Sequence, residues 1–307
     1  MTVTKAHGVR VRGAMMLASL LLIGGLACFF VPGAAHATTA TKGAKVYELS
    51  ENRTYSSYDI TGDGRPDAIC IVSEKADPWE AAYEERLAVF VNGKKAFTRK
   101  ASCFSGIERA QILTLKNGQS FLYLCAQFDY DYTLCRVLKY SSGTLKTVVD
   151  CNRFFGSRFA SRVGEKGGGE IKKVSGNSIT IEFNAMSYMV GDVRARFSYK
   201  CKSGTLKRVG NAGVVNVGAR KTNTYKAAKT MKAYKATSCK TQKFTIKKGQ
   251  NVKFLKAYVK GKTVRLQVKA GGKTGWIKCA TSYQSSLLAK DSFGSRRPPF
   301  EGLHWAG

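Results

Sequence analysis

Asp59, Asp63 and Asp67 stand four and four residues apart around Gly62 and Gly64, in the run Asp59-Ile-Thr-Gly-Asp-Gly-Arg-Pro-Asp67. Carboxylates alternating along a tight turn suit a hard cation, since Ca2+ takes about six to eight oxygen ligands. Here Asp59, Asp63 and Asp67 would give carboxylates, Thr61 a hydroxyl or a water-mediated contact, and Arg65 its backbone carbonyl. Gly64 would supply the positive-φ turn that folds the loop around the ion. Cys70 stands where an EF-hand places its bidentate Glu, so that ligand is missing. The same residues also read as an Asp-Gly turn that needs no metal. A second acidic pair, Asp129 and Asp131, sits among Phe128, Tyr130 and Tyr132 between Cys125 and Cys135. Paired carboxylates hydrolyse glycosides, but two acids one residue apart at a loop tip are more often solvated loop.

Other catalytic chemistries are poorly supplied. The chain has three histidines, His7, His36 and His304. Without histidine in the body of the chain, the usual Ser-His and Cys-His activations and the commonest zinc ligand are missing. Of nine cysteines, none forms a C-x-x-C pair, which disfavours a zinc ribbon or a thioredoxin-type site. Cys125 and Cys135 flank the second acidic tip and could bridge across a hairpin. Buried thiols filling strand positions are the alternative.

The first 37 residues look like an export signal. Lys5, Arg10 and Arg12 precede an apolar run, and Ala35-His36-Ala37 is a small-x-small site with cleavage after Ala37. A retained anchor is the other reading. Cleavage removes Cys28, leaving eight cysteines, an even count that favours disulfides outside the cytoplasm. It also removes three positive charges and no acid, so the formal charge of +31 becomes +28. The membrane would then be met only transiently, through the signal.

The elements that must position these residues are strands. Residues 68–73, 87–91, 110–115, 121–127, 134–140, 178–183 and 193–199 are short apolar or alternating segments. Turns such as Asn92-Gly93, Asn117-Gly118, Ser142-Gly143 and Gly176-Asn177 separate them. The expected fold class is all-β: a propeller-like or sandwich domain of short antiparallel strands, then a small SH3-like β-barrel. Ser-Gly-Thr-Leu-Lys recurs at 142–146 and 203–207, each time after an aromatic-rich strand, and residues 90–97 are a looser third copy. The expected organisation is signal peptide 1–37, linker 38–45, β-rich domain 46–217, basic segment 221–282 and tail 283–307. The apolar residues of the tail suggest that it docks on a domain surface. The loop from Asp59, with the apolar strand behind it, resembles the calcium loop of FG-GAP/VCBS-type repeats, over residues 59–73. That resemblance implies a structural calcium ion supporting a sheet unit.

Residues 221–282 hold 17 Lys+Arg and no Asp or Glu. Five strands are expected, at 231–234, 243–246, 252–259, 263–268 and 275–278. Val264, Leu266 and Val268 alternate with Arg265, Gln267 and Lys269, one face in and one face out. The order of strand, Lys-Lys-Gly turn, long strand, Gly hairpin, alternating strand and Gly275-Trp276-Ile277 resembles a bacterial SH3-like (SH3b) domain. The resemblance implies a noncatalytic module that binds peptidoglycan or peptides beside other extracellular domains. Cys239 and Cys279, the two cysteines of the segment, are expected to pair, because a barrel this small benefits from a staple. Lys247, Lys248, Tyr258, Lys260 and Trp276 are the candidate ligand-binding residues, with Tyr234 close to them in type. A Trp at the end of a small barrel also commonly fills its core.

The composition therefore points to a secreted or cell-envelope binding protein rather than an enzyme. Its basic module would hold an anionic cell-wall polymer or peptidoglycan, or else a protein or peptide, with Ca2+ as the one candidate cofactor. A cell-wall hydrolase using carboxylates in its N-terminal region is the alternative. Nucleic acid suits the basic charge and interleaved Tyr, but export does not favour it.

Overall fold

The computed structural model describes residues 38–74, 85–101, 104–128, 132–156, 167–216 and 222–303. The export signal with Ala37, the acidic tip at Asp129 and Asp131, and His304 lie outside the described residues.

In chain order the strands are β1 Thr39–Thr41, β2 Lys45–Leu49, β3 Thr54–Tyr58, β4 Asp67–Glu74, β5 Glu85–Val91, β6 Lys94–Ala101, β7 Phe104–Thr114 and β8 Ser120–Phe128. There follow β9 Tyr132–Ser141, β10 Thr144–Asp150, β11 Gly168–Ser175, β12 Ser178–Ser187, β13 Gly191–Lys202, β14 Thr205–Arg208, β15 Ala212–Asn216 and β16 Thr224–Ala227. The chain continues through β17 Met231–Tyr234, β18 Gln242–Ile246, β19 Asn251–Lys260, β20 Thr263–Ala270 and β21 Lys273–Lys278. Three short strands close it: β22 Ala289–Lys290, β23 Arg296–Arg297 and β24 Phe300–Glu301. No helix occurs among the described residues, so the all-β class holds.

Sheets stack face to face, as in a sandwich. A four-stranded sheet, β3-β4-β5-β6, lies against a five-stranded sheet, β10-β9-β8-β7-β2. Ile69, Ile71, Leu87 and Val89 of the first share one core with Ile112, Leu122, Leu124 and Leu138 of the second. The opposite face of the five-stranded sheet carries Phe121, Tyr123, Cys135 and Val137, which meet Ile171, Ile181 and Phe183 in a second core. β8 is therefore covered on both faces. That is why its run Phe-Leu-Tyr-Leu-Cys-Ala is apolar at every position instead of every second one.

The three strand-turn-strand copies fold alike. Asn92-Gly93, Ser142-Gly143 and Ser203-Gly204 all have positive φ at both turn residues, the type I′ pattern that matches strand twist. They join β5 to β6, β9 to β10 and β13 to β14.

The expected linker contains β1, which pairs in parallel with β11, and Thr38 donates its hydroxyl to the Ile171 carbonyl. The described residues from Thr38 to Leu303 belong to one compact unit. One sheet runs through residues 212–216, because β15 pairs with β13 on one side and β19 on the other. Gly213 permits this. A Cβ there would stand 2.4 Å from the Arg196 carbonyl oxygen and 2.6 Å from the Phe197 ring. The five basic strands sit where the alternation places them, paired in the order β19-β20-β21-β17-β18. Among the described residues no pairing closes this path into a ring, so the segment is an open sheet grafted onto the large one. Part of the tail docks: β24 pairs with β16, and Phe300 is buried against Phe254.

Candidate functional site

On β21, Gly275 and Ile277 point into the core while Trp276 and Lys278 point the other way. Trp276 is thus on the outer face, half-buried, and does not fill the core. The reason lies in Gly275: Phe244 and Ala233 pack so closely over it that a Cβ would come within 2.9 Å of the Phe244 ring. Core volume is filled from the neighbouring strands at that point.

The outer face has a regular composition. Gln267 stands opposite Trp276, and Tyr234 pairs with Trp276 from the other side. Tyr258 is opposite Arg265, which is opposite Lys278. The Tyr258 and Trp276 rings meet edge to face at 6.2 Å, and the Lys278 ammonium lies 5.4 Å from the Tyr234 ring centroid. Lys256 opposes Gln267, and Lys253 opposes Lys269. Two cross-strand pairs on this face, Lys253–Lys269 and Arg265–Lys278, therefore set like charges side by side, an arrangement that is ordinarily destabilising. Residues 221–282 contain no acid to offset them.

Of the expected ligand residues, Tyr258 and Trp276 come together. The lysines do not. Lys247 and Lys248 occupy the turn before β19, Lys260 its far end, and a ten-residue strand spans roughly 30 Å. Arg265, Gln267, Lys253, Lys256, Lys269 and Lys278 were not singled out by sequence, although the strict alternation of β20 and β21 carried the signal for four of them.

The acidic loop is built as a self-satisfied turn. Asp59 accepts hydrogen bonds from the Gly62 and Gly64 amides at 2.5 and 2.8 Å. Asp63 accepts one from the Arg65 amide at 2.8 Å. Asp67, only 1% exposed, accepts from the Ile60 and Thr61 amides and from the Asn92 side-chain amide at 2.7 Å. Thr61 adds hydroxyl contacts to Asp59 and Asp67, and Gly62 and Gly64 have positive φ. The oxygens face their own loop, and among the described residues no group of three His, Cys, Asp or Glu is placed to hold a metal ion. The carboxylates expected to hold calcium, Asp59, Asp63 and Asp67, with Thr61 beside them, are hydrogen-bonded within this loop and to Asn92. Asn92, a partner of Asp67 from outside the loop, reaches it from the β5–β6 turn, 25 residues away.

The expected disulfides are not formed: the described cysteines are free thiols. Cys239 is hydrogen-bonded by Arg265, and burial raises its thiol against the pull of that guanidinium. Burial pushes the Cys279 thiol up to about 12, with Arg265 opposing. Cys125 and Cys135 are register partners on β8 and β9, as a hairpin bridge requires, but remain thiols.

Comparison with protein-family models, curated proteins and solved structures returned no match.

Proposed function

We propose that the protein is a noncatalytic, extracytoplasmic binding protein that holds an anionic polymer of the cell wall on the outer face of β19, β20 and β21. The observation that carries this reading is the two like-charge register pairs, Lys253–Lys269 and Arg265–Lys278, set around the half-buried rings of Tyr258, Trp276 and Tyr234. A sheet face serving solubility alone has no need to place cations opposite one another, and an anionic strand lying across them would relieve the repulsion. The aromatic rings add flat apolar surface on which sugar rings can rest. The SH3-like order of the strands and the leader with its Ala37 site agree with a wall-facing module. The acidic loop supports a structural role for the N-terminal sheets, because its carboxylates are taken up by their own peptide groups.

The test is sedimentation of the purified protein with cell-wall material at low and high salt. Retention that falls steeply with ionic strength is expected. Retention indifferent to salt, or none at all, would reject the reading.

A further inference from the structure

Cys125, Cys135 and Cys151 stand abreast on one face of the central sheet. Cys125 is the register partner of Cys135 on one side. On the other, the Cys151 amide donates to the Cys135 carbonyl at 2.9 Å. The Cys135 side chain is hydrogen-bonded to both other thiols. All three belong to the core shared with Ile181 and Phe183. The Cys135 thiol also reaches the Gly169 carbonyl at 2.9 Å, and the Tyr123 hydroxyl donates to that same carbonyl at 2.5 Å. β11 passes so closely here that a Cβ on Gly169 would stand 2.9 Å from both Cβ and Sγ of Cys151. Cys135 and Cys151 are sealed, at 0% and 1% exposure, while Cys125, at 7%, donates to the exposed Glu108 carboxylate at 3.2 Å.

We propose that these residues form a thiol–disulfide exchange site in which Cys135 is the shared partner of two mutually exclusive disulfides, one to Cys125 and one to Cys151. The oxidant is an external disulfide, either a small molecule or the disulfide of an exchange protein. Cys125, the least buried of the three, enters first: its thiolate, formed by loss of the proton to water or buffer, attacks one sulfur of the oxidant, whose S–S bond breaks to release one thiol. Cys135 then attacks the Cys125 sulfur, forming Cys125–Cys135 and releasing the second thiol. Attack by Cys151 on the Cys135 sulfur moves the bond inward and returns Cys125 as a thiol. In sum two cysteines are oxidised and one disulfide is reduced to two thiols. Burial works against ionisation of Cys135, but its hydrogen bonds with Cys125, Cys151 and Tyr123 act the other way and hold its thiol below the usual range. The bond to Cys135, together with burial, raises Cys125 and Cys151, and the Glu108 carboxylate raises Cys125 further. Cys135, the register partner of Cys125 and hydrogen-bonded to both other thiols, is the member placed to attack once Cys125 has been engaged.

The experiment uses the reduced, folded, full chain exposed to oxidised glutathione, then unfolded, alkylated and digested with trypsin. Cys125 and Cys135 fall on one tryptic peptide, residues 117–136, and Cys151 on another, residues 147–153. The expected products are the first peptide lighter by two hydrogens and a cross-linked pair of the two, never a Cys125–Cys151 bridge. Cys151→Ala should leave only the lighter peptide. Cys125→Ala should slow formation of the cross-linked pair by at least about tenfold, because entry is lost. Circular dichroism checks that each variant is folded. A Cys125–Cys151 bridge, bridging to a cysteine outside the trio, or three free thiols after oxidation overturns the proposal, as does a Cys125→Ala variant that oxidises at the original rate.

Discussion

The ring of Trp276 meets the ring of Tyr258 edge-on, 6.2 Å apart, across the strand that separates their own. That strand, β20, presents Arg265 and Gln267 beneath them. An aromatic contact bridging over a cationic strand ties flat apolar surface and positive charge into one patch. Replacing either ring should weaken polymer binding by about tenfold, the loss of roughly one good aromatic contact. The effect of Trp276→Ala should be independent of salt. Sedimentation isotherms at two ionic strengths test this, and equal binding by wild type and Trp276→Ala would remove the ring from the site.

The Lys253–Lys269 pair should behave oppositely in stability and in binding. Lys253→Gln with Lys269→Gln relieves the cross-strand repulsion, so urea unfolding should shift to higher concentration by a gain of a few tenths of a kcal/mol. The same variant should bind the polymer more weakly and with a shallower salt dependence. A variant that is less stable, or that binds as before, would show that the pair serves the fold and not the ligand.

Asp67 should be structural. Asp67→Ala leaves the Ile60 and Thr61 amides and the Asn92 side chain without their acceptor, at a cost of about 2–3 kcal/mol. Asn92→Ala should cost less, and a double-mutant cycle should show that the two are coupled. Thermal unfolding with excess calcium and with chelator should give the same Tm, because the loop amides already occupy the carboxylates. A rise of several degrees in calcium would restore the metal reading.

Stability should fall in alkali, in part because of Cys279. Its thiol is raised to about 12 in the fold, chiefly by burial, against about 8.5 in an unfolded chain. Between those values the unfolded state has released the proton and the native state still holds it, so fewer protons are bound in the unfolded state. Stability is then complete below the unfolded value and declines as pH rises toward the folded one, by on the order of 1 kcal/mol per pH unit. Cys279→Ala should make that decline shallower in urea melts from pH 8 to 11, the remainder coming from Cys125 and Cys151, whose thiols the fold also raises. An unchanged slope would mean that the thiol is not sealed.

Strand positions were largely legible because their signals are local. Alternation placed β17 to β21 within two residues, and the tight turns at Asn92-Gly93, Ser142-Gly143 and Ser203-Gly204 are signalled by their glycines. The candidate site was half legible. Tyr258 and Trp276 are joined, yet Lys247 and Lys248 are carried to the opposite end of β19 from Lys260, since a turn before a strand and a hairpin after it cannot share an end. Asn92 carried no signal for Asp67: their contact depends on where the β5–β6 turn falls on the edge of β4.

By itself the sequence determined the all-β class, the hairpins, the acid-free basic segment and the tight glycine turn at Asp59, all of which depend on neighbours within a few residues. Only the tertiary structure decided that Trp276 faces outward, that Cys125, Cys135 and Cys151 stand together, and that the basic strands extend one long sheet through Gly213. Those outcomes depend on which strands pair and which faces are covered. Such pairings join residues far apart in the chain, and no local periodicity encodes them.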